Sequence, residues 1–348
     1  MAYTTIKKPS DYFNTKLWTG TGANLSITGV GFQPDFTWIK NRANTDDHNL
    51  FDVLRGFSTD ALLRSNTNGA ATDTTEGIKS FDSDGFSLGT NGSSNGNGQG
   101  MVSWNWKAET AFSNNAGANG ATIASSGKVN TTAGFSIVSF VGNQTSGATV
   151  AHGLGAVPKV VIIKGRDSAL DWRSYFAPLG AGKYMVLNGN DAVATNTNFM
   201  NDTSPTSIVF SLGNGATPNK SGENYIAYCF AEKTGYSKFG SYVGNGNANG
   251  PFIYTGFKPT FVISKNTSIT QHWSMNDTKR DPFNVGNKRL WPSQSTAEVS
   301  DSGYYIDYLS NGFKIRSNSS SWNGSGNTII YMAFAEQPLI GDNPATAR

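Results

Sequence analysis

The chain has 348 residues, with 27 Lys and Arg against 24 Asp and Glu for a formal net charge of +3. Only 15% of residues are charged, 12% are aromatic and 40 are glycine, where an ordinary domain is ~25% charged and ~7% glycine. That balance argues against wholesale disorder and a basic nucleic-acid footprint, and no apolar run approaches the ~18 residues of a membrane-spanning helix.

The opening Met1 to Pro9 has no apolar h-region, so secretion by a signal peptide is not expected. Leu17-Trp18-Thr19-Gly20 is the first landmark, followed by Gly31-Phe32-Gln33-Pro34 and an apolar run that ends at Lys40. A proline leading β-branched and aromatic residues predicts a strand that starts beside it, because proline cannot donate to the middle of a ladder. Phe81-Asp82-Ser83-Asp84-Gly85-Phe86 resembles the start of a calcium loop but lacks its closing Glu. Asp84-Gly85 predicts instead a two-residue hairpin turn with positive φ at both central positions. The stretches Gly92 to Gly100 and Gly244 to Gly250 lack the G-x-x-x-x-G-K-[ST] pattern and read as Gly/Asn turns rather than phosphate loops.

After Trp104-Asn105-Trp106 the chain enters residues 112–132, rich in Asn, Ala, Gly and Ser, which predict a flexible linker. The landmarks then recur. Ser139-Phe140-Val141-Gly142-Asn143 matches Ser241-Tyr242-Val243-Gly244-Asn245, and the proline motif returns at Gly155 to Lys164 and Gly256 to Lys265. The aromatic landmark returns as Tyr228-Cys229-Phe230 and Met332-Ala333-Phe334. The interval from Pro34 to Trp106 equals that from Pro158 to Phe230, and Pro259 to Phe334 is only slightly longer. Strand candidates in the middle copy are 134–141, 159–165, 183–188, 206–212 and 224–231, and no window shows a 3.6-residue period. The expected fold is all-β: three tandem antiparallel β-sandwich repeats, jelly-roll or concanavalin-like, over 1–111, 133–233 and 234–348.

The copies also test candidate sites. His48, Trp172 and Trp273 stand at the same offset from Pro34, Pro158 and Pro259, which points to packing rather than a catalytic base. His152 sits in a Gly-rich turn, His272 is simply beside Trp273, and no serine stands in a G-x-S-x-G elbow. Lys40, Lys164 and Lys265 are expected at strand ends, their stems on apolar surface and each paired with a nearby acid such as Asp46, Asp167 or Asp277. Trp18, Trp172, Trp273, Trp291 and Trp322 are candidate aromatic platforms for a sugar or a partner, and Trp172, Trp273, Trp291 and Trp322 are the candidate contact residues. The single cysteine, Cys229, lies in an apolar strand and is expected to be buried; alone it forms no intrachain disulfide or cysteine zinc cluster. No acid pair is shared among the copies, so neither glycosidase chemistry nor a cofactor or metal is expected.

The opening MAYTTIKKPSDYFNTKLWTGTGANLSITGVGFQPDFTWIKNR, the block SFDSDGFSLGTN and the ending YMAFAEQPLIG…TAR resemble virion structural proteins of tailed, marine-type bacteriophages. Residues 171–232, DWRSYFAPLG to YCFAE, look like the repeated domain of unknown function in those proteins. The resemblance implies concanavalin-like sandwiches without known catalytic residues, in a tail fibre, tail-associated appendage or head decoration. It further implies synthesis in the host bacterial cytoplasm, incorporation into the virion, contacts with other virion proteins and a homo-oligomer, commonly a trimer in such appendages. A lectin-like module that contacts a host surface glycan is the alternative. The first copy departs most from the pattern, with Asp46-Asp47-His48-Asn49 where the others carry Trp.

Overall fold

The three proline-led runs form the strands Phe36–Asn41, Val160–Gly165 and Phe257–Asn266, and every residue in them is buried. A strand buried along both faces is covered on both sides, and that double cover organises the molecule. The structure, a computed structural model, describes residues 4–338.

The chain is all-β, with antiparallel sheets throughout. In the first main sheet the spatial order is Phe13–Thr19, Gly100–Trp106, Phe36–Asn41, Asn49–Asp52, Leu63–Arg64. The second contains Phe135–Val141, Asn224–Phe230, Val160–Gly165, Arg173–Phe176 and Lys183–Val186 in the same spatial order. The third runs Ser237–Val243, Thr328–Pro338, Phe257–Asn266, Ser274–Asp277. In each, the opening and closing strands pair, and the proline-led strand lies on the closing strand's other side. Pro34 and Pro158 precede their strands, whereas Pro259 lies inside its strand at a register shift, where a missing N–H is tolerated.

One face of each main sheet packs on a smaller sheet: Leu25–Ile27 with Gly85–Leu88 and Ile78–Asp82, Ala148–Ala151 with Val209–Leu212, and Phe252–Tyr254 with Gly312–Ile315 and Ile306–Leu309. Each of these sandwiches has its own apolar cluster. Helices are single turns, as the missing 3.6-residue period predicted.

The other faces of the main sheets meet one another in one shared cluster. Trp106, Phe230 and Phe334, the last aromatics of the three landmarks, form a triangle with ring centroids 6.4, 5.7 and 6.0 Å apart. Phe13, Phe135 and Phe239 each pack against their own sheet's member at 4.8, 4.9 and 5.7 Å. Each also touches the preceding sandwich in cyclic order: Phe13 on Phe334, Phe135 on Trp106 and Phe239 on Phe230, at 5.0, 6.5 and 6.1 Å. The three sandwiches therefore close around a pseudo-threefold aromatic axis.

Residues 112–132 are not a flexible linker. Thr110–Asn114 and Ser125–Asn130 pair with each other and with Phe135–Val141, which extends the second sheet to eight strands. Val129 and Ile123 are buried, and Phe112 lies so close over Gly127 that an added Cβ there would meet its ring at 2.7 Å. Uncharged small residues suit such a ribbon as well as they suit a linker, so composition could not separate the two.

The 81–86 segment does form a hairpin, but Asp82 pairs with Gly85, which places Ser83 and Asp84 at the turn. Asp84 keeps negative φ. Its carboxylate accepts from the N–H groups of Gly29 and Gly31 at 2.8 and 2.7 Å. The glycine is required by close approach: a Cβ on Gly85 would lie 1.9 Å from the Ile27 carbonyl oxygen, and one on Gly312 would lie 2.1 Å from that of Ile253. Gly85→Ala is thus expected to force the two strands apart and cost about 1–3 kcal/mol, read as a lower urea midpoint; an unchanged midpoint would contradict the close-approach assignment.

Candidate functional site

The residues singled out by the sequence lie mostly at the seams between sandwiches. Trp172 and Trp273 are buried, and each reaches into the preceding sandwich. Trp172 Nε1 donates to the Arg64 carbonyl at 2.8 Å and Trp273 Nε1 to the Val186 carbonyl at 2.9 Å. His48 occupies the corresponding place in the first sandwich, where its Nδ1 accepts from Trp38 Nε1 at 2.8 Å. Burial holds the His48 pKa well below its ordinary value, Lys40 and Arg280 depress it further, and a backbone hydrogen bond to Trp291 opposes them. The shared offset from the motif proline thus marks a buried position at each seam.

This corrects the reading of the tryptophans as platforms. Trp172, Trp273 and Trp322 offer no face to a sugar, and Trp322 Nε1 donates internally to Ser274 Oγ at 2.7 Å. Trp291 is half-buried, with the Arg289 guanidinium 4.4 Å above its ring. Trp18 is also half-buried, edge-on to Phe86 at 5.9 Å. Core and platform tryptophans look alike in sequence, since both need apolar neighbours.

The motif lysines do end their strands, but without ion pairs to the expected acids. Lys40 Nζ donates to the carbonyls of Asn41 and Asn44 at 2.6 and 2.9 Å. Lys164 Nζ donates to those of Gly165 and Asn68 at 2.6 and 3.2 Å, and Lys265 Nζ to that of Asn266 at 2.5 Å. Burial pushes all three down to about 8, opposed by Asp46 and Asp47, by Glu223 and Asp171, and by Asp191 respectively. Asp167 instead accepts from the Asn224 N–H and Nδ2, and Asp277 belongs to Arg280. A buried lysine that donates to carbonyls at its strand end and in a nearby loop satisfies backbone acceptors that would otherwise be orphaned.

Two buried aspartate–arginine pairs also lie at the seams, and Lys128 of the second sandwich reaches Asp35 of the first at 2.8 Å. Asp52 accepts from Arg55 Nε and from the Tyr228 hydroxyl of the second sandwich, both at 2.7 Å. Asp277 accepts from Arg280 Nε at 2.5 Å and from Trp104 Nε1 of the first sandwich at 3.1 Å. Arg280 also donates to Glu298 at 2.9 Å, which Arg42 of the first sandwich clasps through two nitrogens at 3.0 and 2.7 Å. In the second sandwich the register position of Asp52 and Asp277 holds Phe176, and Leu179 stands where the arginines stand. Met332, the register counterpart of Trp104 and Tyr228, has no polar hydrogen to donate. At this register position a polar group meets a polar partner across two of the seams, and apolar side chains meet across the third.

His152 and His272 have separate partners, and His272 lies between Gln271 and Trp273, both hydrogen-bonded to the second sandwich. His152 Nδ1 accepts from the Leu154 N–H at 3.2 Å, and burial lowers its pKa to about 4. His272 contacts Ser293 Oγ and Gln294 Nε2, its pKa lowered by burial and then by Lys265 and Arg289. Among the described residues, no group of three His, Cys, Asp or Glu side chains is placed to hold a metal ion. Cys229 is buried, its thiol pushed up to about 12 by that burial. Because unfolded histidines bind protons near 6.5 and His48 and His152 do so only at lower pH, stability is expected to fall as pH drops from about 6.5 towards 4. Calorimetric scans across that range would show a declining Tm, with a shallower decline in His152→Asn; identical slopes would contradict the histidine assignment.

Sequence reasoning missed a further set. Asn95, Asn219 and Asn323 are fully buried, each on the single turn before a closing strand. Their Oδ1 atoms accept from the N–H groups of Thr21, Asn143 and Asn245 at 2.9, 2.8 and 2.8 Å. Their Nδ2 atoms donate to the carbonyls of Gly89, Gly213 and Ser317 at 2.9, 3.0 and 2.8 Å. The three asparagines precede Trp106, Phe230 and Phe334 by one and the same interval, a constant spacing that was there to be found.

A family model described as Domain of unknown function (DUF7483) matches residues 8–338. The chain belongs to this family. Its single model runs through all three sandwiches, so the family pattern spans the whole closed arrangement. Comparison with curated proteins and with solved structures finds no match.

Proposed function

We propose that this DUF7483 protein is a structural component of a bacteriophage virion, a peripheral appendage of tail or head that supplies shape and contact surface without catalysis. The observation that carries this reading is the use made of its reactive side chains. His48, the three motif lysines and the two aspartate–arginine pairs are buried and spent on strand ends and seams. Three sandwiches locked in this way form a stiff block that presents strand edges and turns outward, which suits assembly. The resemblance of the opening, the SFDSDGFSLGTN block and the ending to virion proteins supports the same reading, and with it contacts to other virion proteins. Mass spectrometry of purified particles, with antibody labelling in electron micrographs, tests it. Stoichiometric presence on the particle is expected; absence from particles sinks the proposal.

A lectin-like role is the second reading, and its support moves from the tryptophans to the third sandwich. Phe252 and Tyr254 are 45% and 54% exposed on one face of an edge strand, spaced to present two rings side by side. Saturable binding to host polysaccharide that is lost in Tyr254→Ala would favour this reading; flat binding across a glycan panel would remove it.

A further inference from the structure

The sheet edges differ in how they are protected. Phe13–Thr19 and Ser237–Val243 end the first and third main sheets, and each carries a lysine, Lys16 or Lys238. A lysine on an edge strand discourages another chain from pairing there. Their counterpart in the second sheet, Phe135–Val141, has no charge and is covered by the ribbon of Ser125–Asn130 and Thr110–Asn114. The ribbon moves the edge outward without protecting it: Thr110–Asn114 reads TAFSN, with no charge and no proline, and ends the eight-stranded sheet.

The surroundings of that edge are neutral too. A concavity of about 360 Å³ at its end is lined by Ser113, Ser126, Ser139 and Val141 among others, and one of about 300 Å³ by Phe112, Asn119, Gly153 and Ile208 among others. No charged residue lines either. Ile208 is 49% exposed beside the half-buried Phe112, an apolar patch at an open row of backbone donors and acceptors. The occupant must be an extended, uncharged strand with small residues on one face and an apolar residue on the other. Thr110–Asn114 itself meets that description, with exposed Ala111 and Ser113 on one face and Phe112 on the other.

We propose that a second copy of this chain pairs there, its Thr110–Asn114 running antiparallel about a two-fold axis at Phe112. Ala111 then lies opposite the partner's Ser113, and Phe112 opposite its own counterpart. No charges oppose each other across the pair, and the two Ile208 patches are brought to the same seam. This two-fold pairing replaces the trimer expected from the resemblance, and it holds whether or not the protein belongs to a particle.

Sedimentation velocity of the full chain across micromolar concentrations tests it. A monomer–dimer equilibrium is expected, weakened at least tenfold in Ala111→Lys and in Ile208→Lys; Ser113→Lys, at an exposed position, replaces either variant if it fails to match the wild-type circular dichroism. Phe112→Cys is expected to give a disulfide-linked dimer under mild oxidation. Directly opposed residues lie ~4.5–5.5 Å apart, within disulfide reach of ~4.4–6.8 Å, and the other cysteine, Cys229, is buried. A wild-type chain that stays monomeric, forms a trimer, or dimerises unaffected by the lysine variants and without the Phe112→Cys cross-link overturns the proposal. So does an edge that binds an extended peptide while the chain alone remains monomeric.

Discussion

Arg280→Met is expected to lower the stability of the chain by about 3–5 kcal/mol, measured by urea denaturation. The guanidinium donates to Asp277, to Glu298 and to the Met275 carbonyl, and neither Arg280 nor Asp277 has solvent access. Removing it leaves buried Asp277 with only Trp104 Nε1 and nearby backbone N–H groups as donors, and the cost is the uncompensated charge rather than the lost bond. The second sandwich supplies the control. It carries Phe176 and Leu179 in the register of Asp277 and Arg280, so Asp277→Phe combined with Arg280→Leu removes the charge together with its partner. The double variant is expected to regain about 1–3 kcal/mol over Arg280→Met. A double variant no more stable than the single one would show that the ion pair is not what the seam depends on.

Trp106→Ala is expected to cost about 3–5 kcal/mol and to loosen all three sandwiches together. Its ring meets Phe13 and Phe36 of the first sandwich, Phe135 and Phe230 of the second, and Phe261 and Phe334 of the third. Truncation opens a cavity that none of the three can close alone. Trp322→Ala removes the same volume from the third sandwich's own cluster. Amide exchange should therefore accelerate in all three sandwiches for Trp106→Ala and mainly in the third for Trp322→Ala. Trp106→Phe should be mild, because Phe230 and Phe334 already fill the two related positions. Acceleration confined to the first sandwich in Trp106→Ala would mean that the axis is not shared.

How much of this was readable before the structure depends on the signal. The all-β class was legible, since Gly and Asn turns punctuate short apolar runs and nothing sustains a helical period. The landmarks at Trp106, Phe230 and Phe334 were legible as alignment marks but not as neighbours, because alternation says which face a residue lies on and not what that face meets. The hint lay in Val160–Gly165, whose run of four β-branched residues is apolar on both faces and demands cover on both. Small, mostly uncharged residues over 112–132 suit a linker and an exposed ribbon equally, and the apolar Phe112, Ile123 and Val129 are too sparse there to decide. The seam lysines lie near strand ends as their position in the motif implies, but nearness in sequence to an acid does not reveal that each Nζ ends among carbonyls.

The central claim is that three sandwiches fold as one body because their main sheets share the axis of Trp106, Phe230 and Phe334. Differential scanning calorimetry of the intact chain tests it most directly. One transition is predicted, with equal calorimetric and van't Hoff enthalpies, shifted as a whole by Trp106→Ala. Two or three resolved transitions, only one of them moved by that substitution, would contradict it.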